Sequence, residues 1–114
     1  MRNVLVAAGA INAALAVAAG AFAAHGLRER ISERSLEIFE TGARYHMYHA
    51  LAMILAGLLA ARTPGWIFQG GIVVFSGSLY ALALTDVKML GAITPLGGVA
   101  FLVGWVWLAI SALR

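Results

Sequence analysis

Between Val4 and Ala24 the chain runs for 21 residues without a charged side chain. Wound as an α-helix at 1.5 Å per residue, that run reaches about 31 Å, enough to cross a hydrocarbon core of roughly 30 Å. The rest of the chain agrees with it. Of 114 residues, 62% are hydrophobic and 11% are charged, whereas a soluble domain is roughly half apolar and a quarter charged. So few charges cannot clothe a water-soluble globule, and disorder demands the opposite composition. The chain reads as an all-α integral membrane protein, one membrane domain over residues 1–114. A cleaved leader is the rival reading of the first run, because Arg2 gives a basic start and Ala21-Phe22-Ala23 resembles a small-x-small cleavage site. The run is longer than a leader's usual apolar core of about 7–15 residues, so a retained span is expected.

Residues 27–43 change character and hold seven of the thirteen charges. At 100° per residue, Leu27, Ile31, Ser35, Ile38 and Phe39 share one face, while Glu29, Arg30, Glu33, Glu37 and Glu40 take the opposite one; Arg28 and Leu36 break the pattern. This predicts an amphipathic helix that lies in the membrane interface or caps a bundle and does not span. Further spans are expected at about 45–61, a short run to which continuation of the preceding helix could add the missing turn, closed by the turn chemistry of Arg62-Thr63-Pro64-Gly65, then at 66–85 behind Trp66, and at 89–113 beyond Asp86 and Lys88. With the first span at 4–24, the whole predicts a four-helix bundle with an amphipathic interfacial helix between spans 1 and 2. Arg2, Arg62 and Arg114 then share one side, and Arg28, Arg30, Arg34, Arg44 and Lys88 the other. Five against three places the amphipathic segment inside.

The composition also excludes chemistry. The net charge is +3, but the basic residues are scattered, without the Lys/Arg cluster that tracks nucleic-acid phosphates. The lipid bilayer is the expected partner instead. Zero cysteines remove disulfides, thiolate metal sites and Cys nucleophiles. No Asp or Glu falls inside an expected span, which argues against an ion-coupled pump and against paired-acid hydrolysis. Ser76 and Ser78 lack a nucleophile elbow, and lone hydroxyls in membrane helices usually bond their own backbone. No enzyme, metal site or cofactor is expected.

Polar and small residues inside the spans are therefore the informative ones. Gly9, Ala13, Ala16, Gly20 and Ala24 form a small-residue stripe suited to close helix packing. Asn12 lies beside that stripe and must find a hydrogen-bond partner across the bundle. The densest polar cluster is Arg44-Tyr45-His46-Met47-Tyr48-His49, with Tyr45 and His49 one turn apart. His25, placed on the same membrane side as His49, could join it as a haem or metal ligand pair or a proton relay. A hydrogen-bonded layer fixing two helices is the plainer reading. Gly70-Gly71 and Gly77 soften the third span, and Thr94-Pro95-Leu96-Gly97-Gly98 is expected to kink or break the fourth, since Pro95 cannot donate to the Gly91 carbonyl.

Four ordered stretches carry a resemblance. They are Gly20-Ala21-Phe22-Ala23-Ala24-His25-Gly26-Leu27, Thr41 to Ala52 through Arg44-Tyr45-His46-Met47-Tyr48-His49, Phe75-Ser76-Gly77-Ser78-Leu79-Tyr80, and Ile93-Thr94-Pro95-Leu96-Gly97-Gly98. Across nearly its whole length the chain resembles the domain-of-unknown-function 423 family, which includes transmembrane-protein-256-like proteins. Ala23 stands where that pattern usually has Gly, and His46 where Gln is common, which sets His46 aside in favour of His25 and His49. The resemblance implies a multi-pass protein, in bacteria of the inner (plasma) membrane, and brings no activity with it. The leading expectation is a binding or accessory bundle, as a homo-oligomer or within a larger membrane complex, working through His25, Arg44, Tyr45, His49, Tyr80 and Thr94. Passage of a small solute or ion through an oligomer is the second reading, and a haem- or metal-binding redox component the third.

Overall fold

The computed structural model describes residues 2–114 and contains four long helices: α1 (Val4–Leu27), α2 (Glu33–Leu58), α3 (Arg62–Thr85) and α4 (Met89–Ala112). Three of them, α1, α3 and α4, are long and apolar enough to cross a membrane. Asn3 caps α1, its side-chain oxygen accepting from the Val6 N–H at 3.1 Å while its amide donates to the Gly57 carbonyl at 3.2 Å. One residue thus ties the start of α1 to the end of α2. Ser32 caps α2 by accepting from the Ser35 N–H at 3.0 Å.

The amphipathic stretch is not a helix of its own. From Glu33 onward it continues without a break into the second apolar run, making a single helix of 26 residues. Nothing in 33–45 stops a helix: there is no Pro, and Gly42 packs flat beneath the Tyr80 ring. Its Leu36 and Phe39 are buried with Ala23, Leu27 and Ala83, while Glu33, Arg34 and Glu37 face outward. The turn expected at Arg62-Thr63-Pro64-Gly65 is instead the first turn of α3. Proline is tolerated there because the opening N–H groups of a helix have no internal acceptor. The chain reverses over the three preceding residues, where Ala60 takes a positive φ of 59°.

Two helices contain a π-helical turn, Ala23–Leu27 at the end of α1 and Ile72–Ser76 in α3 just beyond Gly70-Gly71. Of the kink or break expected at Pro95, the break does not occur: α4 runs through it as one helix. The Thr94 hydroxyl donates to the Leu90 carbonyl at 3.2 Å and meets Ser78 of α3, which stiffens the turn that Pro95 weakens.

The packing follows chain order. α2 lies between α1 and α3, and α4 packs on α3, leaving α1 and α4 on opposite sides of a body measuring 48 × 28 × 17 Å. Where helices meet, small residues set the distance. A Cβ on Gly9 would lie 2.9 Å from the Ala50 carbonyl oxygen, and one on Gly97 would lie 2.7 Å from the Cα of Phe75. Gly98 has ordinary contact distance to Phe75, while Gly20 and Gly77 have nothing within 4 Å. The small-residue stripe of α1 therefore packs α2 through its first half only.

Candidate functional site

A chain of uncharged polar side chains threads three helices. Tyr80 on α3 meets His46 Nδ1 on α2 at 2.9 Å, and His46 Nε2 meets Asn12 Oδ1 on α1 at 3.0 Å. The Asn12 amide nitrogen then donates to Gln69 Oε1, back on α3, at 2.8 Å, and to its own Ala8 carbonyl at 2.9 Å. The direction of every bond follows from chemistry. An amide oxygen only accepts, so His46 Nε2 carries its proton, and Nδ1 must accept from the Tyr80 hydroxyl. Tyr80 and Gln69 lie about 16 Å apart along α3 at 1.5 Å per residue, so the chain covers roughly half a hydrocarbon core. Two amides sit in it, and an amide does not pass a proton on as a hydroxyl or imidazole can. It is a tie between helices and no relay.

His49 belongs to a separate box of aromatic rings. Its Nδ1–H donates to the Tyr45 carbonyl at 2.8 Å, and its Nε2 accepts from the Trp105 indole N–H at 3.0 Å. The imidazole stacks on Phe101 with centroids 3.5 Å apart and planes 6° from parallel, and Phe68 closes the box at 5.7 Å. Both ring nitrogens are occupied. This histidine is the pin that holds α4 to α2.

Beside it, α2 and α4 form the walls of a groove of about 410 Å³ floored by Phe75 of α3 and lined by Tyr45, Tyr48, Gly98, Leu102 and Trp105. Tyr45 stacks at 5.0 Å on Phe75 and at 5.4 Å on Tyr48. The groove is apolar and opens at the outer surface of the helices.

The six predicted site residues are therefore dispersed. Tyr80 anchors the polar chain, Tyr45 and His49 meet at the groove, and Thr94 pairs with Ser78 between α3 and α4. His25 is exposed in a cleft at one end of the molecule with Arg28, Glu29 and Arg30. The expected pairing of His25 with His49 does not form. Because α2 starts at Glu33, His49 lies about 24 Å along its axis from the end that receives His25. Arg44 is exposed on α2. Among the described residues one ion pair forms, Lys88 with Asp86 at 3.0 Å, so Arg44, Glu37 and Glu40 have no charged partner.

His46, which the family resemblance sets aside, is central to the polar chain, and Gln69 and Trp105 are site residues that the motifs do not mark. The signal for Gln69 was present, since like Asn12 it is a lone amide within an apolar run, and two such groups satisfy each other. The level of Arg44 is a further surprise. Gly42, two residues before it, accepts from Ser76 at 2.7 Å. Ser76 lies about 21 Å from Arg62 and about 15 Å from Asp86 along α3, so Arg44 stands near the middle of the apolar helices.

The family described as protein of unknown function (DUF423) matches residues 19–98. The UPF0382 membrane protein YwdK of Bacillus subtilis is 48% identical over 120 residues, covering 98% of each chain. A UPF0382 membrane protein of Staphylococcus epidermidis is 48% identical over 118 residues, covering 98% of this chain and 97% of its own, and one of Staphylococcus aureus is 46% identical over 112 residues, covering 93% and 92%. No solved structure matches the chain. With apolar helices built for a bilayer and relatives of this kind along its full length, the chain belongs to the DUF423 family of uncharacterised membrane proteins.

Proposed function

We propose that this chain is a multi-pass protein of the bacterial inner (plasma) membrane with a binding or accessory role, all four helices spanning as one bundle and the charged start of α2 reaching the interface. One observation carries the reading. The interior polar groups are consumed by one another, while the aromatic α2–α4 groove stays open at the surface of the bundle. A buried set with no spare donor or acceptor holds helices together; an open aromatic groove receives an apolar chain or a partner helix. The working residues are then Tyr45, Tyr48, Phe75, Leu102 and Trp105. The test is the mass of the particle extracted in lipid nanodiscs, with bound molecules read from the same sample. The expected result is an assembly or a retained apolar ligand, lost in Gly98→Leu, which fills the groove. A bare monomer unchanged by that substitution overturns it.

A second reading, passage of a small solute or ion through an oligomer, is supported by the outward-facing charges of α2 at membrane depth. Liposome flux that falls in Arg44→Leu would favour it over the first.

A further inference from the structure

The outward face of α2 has a regular composition that nothing within the chain explains. Glu37, Thr41, Arg44, Tyr48, Leu51, Leu55 and Leu58 recur at alternating steps of four and three. That spacing averages 3.5 residues, the repeat by which two helices keep a common seam. The leucines and Tyr48 are half or more exposed, while the buried Phe39, His46, Ala50 and Met53 on the other side of α2 make its contacts to α1 and α3. A seam of this kind is present, and its partner is not within the chain.

Its charged half makes the case sharper. Asn12 is bonded to His46, about 15 Å along α1 from Arg2, and Arg44 is only half a turn further on. Exposed Ile11, Leu15 and Val17 flank this level on α1. Lipid that suits those side chains cannot solvate Glu40 and Arg44 beside them, and an ionised group there costs about 2.5–3.5 kcal/mol at the least when unpaired. A lipid phosphate would answer Arg44 but would be repelled by Glu37 and Glu40 on the same face. What answers both signs is a surface carrying both signs.

We propose that this surface is a second copy of the chain, with α2 packed against α2 in the same orientation. The stripe reads Arg34, Glu37, Glu40, Arg44, two charges of each sign. Set side by side, each Arg34 reaches the partner's Glu37 and each Arg44 the partner's Glu40, one turn away on the facing helix. Below them Leu51, Leu55 and Leu58 pack apolar against apolar. The charges neutralise in pairs, and the seam leaves the lipid. This inference rests on the reading of the chain as an assembling membrane subunit and adds, beside the α2–α4 groove, the outward side of α2 as the face that meets a second copy.

The chain has no cysteine, so single cysteines introduced into the full-length protein report contacts directly. In native membranes under mild oxidation, Thr41→Cys, Leu51→Cys and Leu55→Cys are expected to form disulfide dimers at least several-fold more than Leu15→Cys on α1 or Val106→Cys on α4. Adding Arg44→Glu to Leu51→Cys should cut the crosslink several-fold, and adding Glu40→Arg as well should restore it. Equal crosslinking on all faces, or restoration failing while the double variant is still inserted, overturns the inference. A nanodisc mass of two copies with crosslinks through α4 would overturn the face and leave the assembly reading standing; a mass of one copy with an apolar ligand retained would overturn the pairing alone, and a bare single copy would remove both.

Discussion

His46 uses one ring nitrogen to donate and the other to accept, and a glutamine side chain offers the same two roles from its amide and its carbonyl. That equivalence explains how a position that reads as variable between His and Gln can still be the middle of the polar chain. The sequence could show that Asn12 needed a partner, because a lone amide in an apolar run is costly unpaired. It could not show which partner, because that depends on the register between α1 and α2. It marked His49 as a ligand candidate for the same reason, not knowing that Trp105 would arrive from 56 positions away to take its second nitrogen. His46→Gln is therefore expected to leave stability nearly unchanged, whereas His46→Leu strands Asn12 and Tyr80 together. Interhelical hydrogen bonds in membranes average about 0.6 kcal/mol and reach about 1.7, so losing two should cost about 1–3 kcal/mol. Thermal unfolding of both variants in one detergent checks this; equal losses would mean that His46 matters for its bulk alone.

Helix boundaries were legible where they rest on charge, at Asp86 and Lys88, and less so where they rest on capping, proline and glycine: the Ser32 cap falls inside the stretch that reads as one amphipathic helix. Pro64 reads as a turn and Pro95 as a kink or break, yet the first sits where a helix has free N–H groups and the second lies within a continuous helix where Thr94 bonds the Leu90 carbonyl. The glycines divide the same way. Sequence spacing treats Gly97 and Gly77 alike, but only Gly97 lies against the backbone of a neighbouring helix. Between membrane helices there is no hydrophobic force to spare, so close approach supplies the attraction. Gly97→Ala would push α4 off Phe75 and should cost about 1–3 kcal/mol, the usual penalty of overpacking. Gly77→Ala meets open space and should be neutral or stabilising by up to about 1 kcal/mol from helix propensity. Melting temperatures of the pair test this contrast, and a loss in Gly77→Ala equal to that in Gly97→Ala would contradict it.

For the molecule as a whole, the geometry of α2 changes the charge balance that orients it. Composition alone established a helical membrane protein, since apolar length needs no knowledge of packing. Orientation was harder to read because Arg44 counts as a flanking charge only if the second span begins at Tyr45. With α2 continuous from Glu33, Arg44 stands at the depth of Asn12 and Ser76 and no longer contributes to either side. With all four helices spanning, as proposed, Arg28, Arg30, Arg34 and Lys88 face Arg2, Arg62 and Arg114, four against three. Retention of Lys and Arg on the inner side still favours the α1–α2 turn inside, and acidic neighbours barely alter that rule. The margin is one charge. Arg28→Gln combined with Arg30→Gln leaves two against three and should invert a substantial fraction of the molecules. Membrane-impermeant labelling of Thr63→Cys and of Val87→Cys reads the two ends separately. In the unaltered chain Thr63→Cys should label from outside and Val87→Cys only after permeabilisation, and the double glutamine variant should exchange part of that pattern. An orientation untouched by the loss of both arginines would mean that contacts with another subunit, and not the flanking charges, hold the bundle upright.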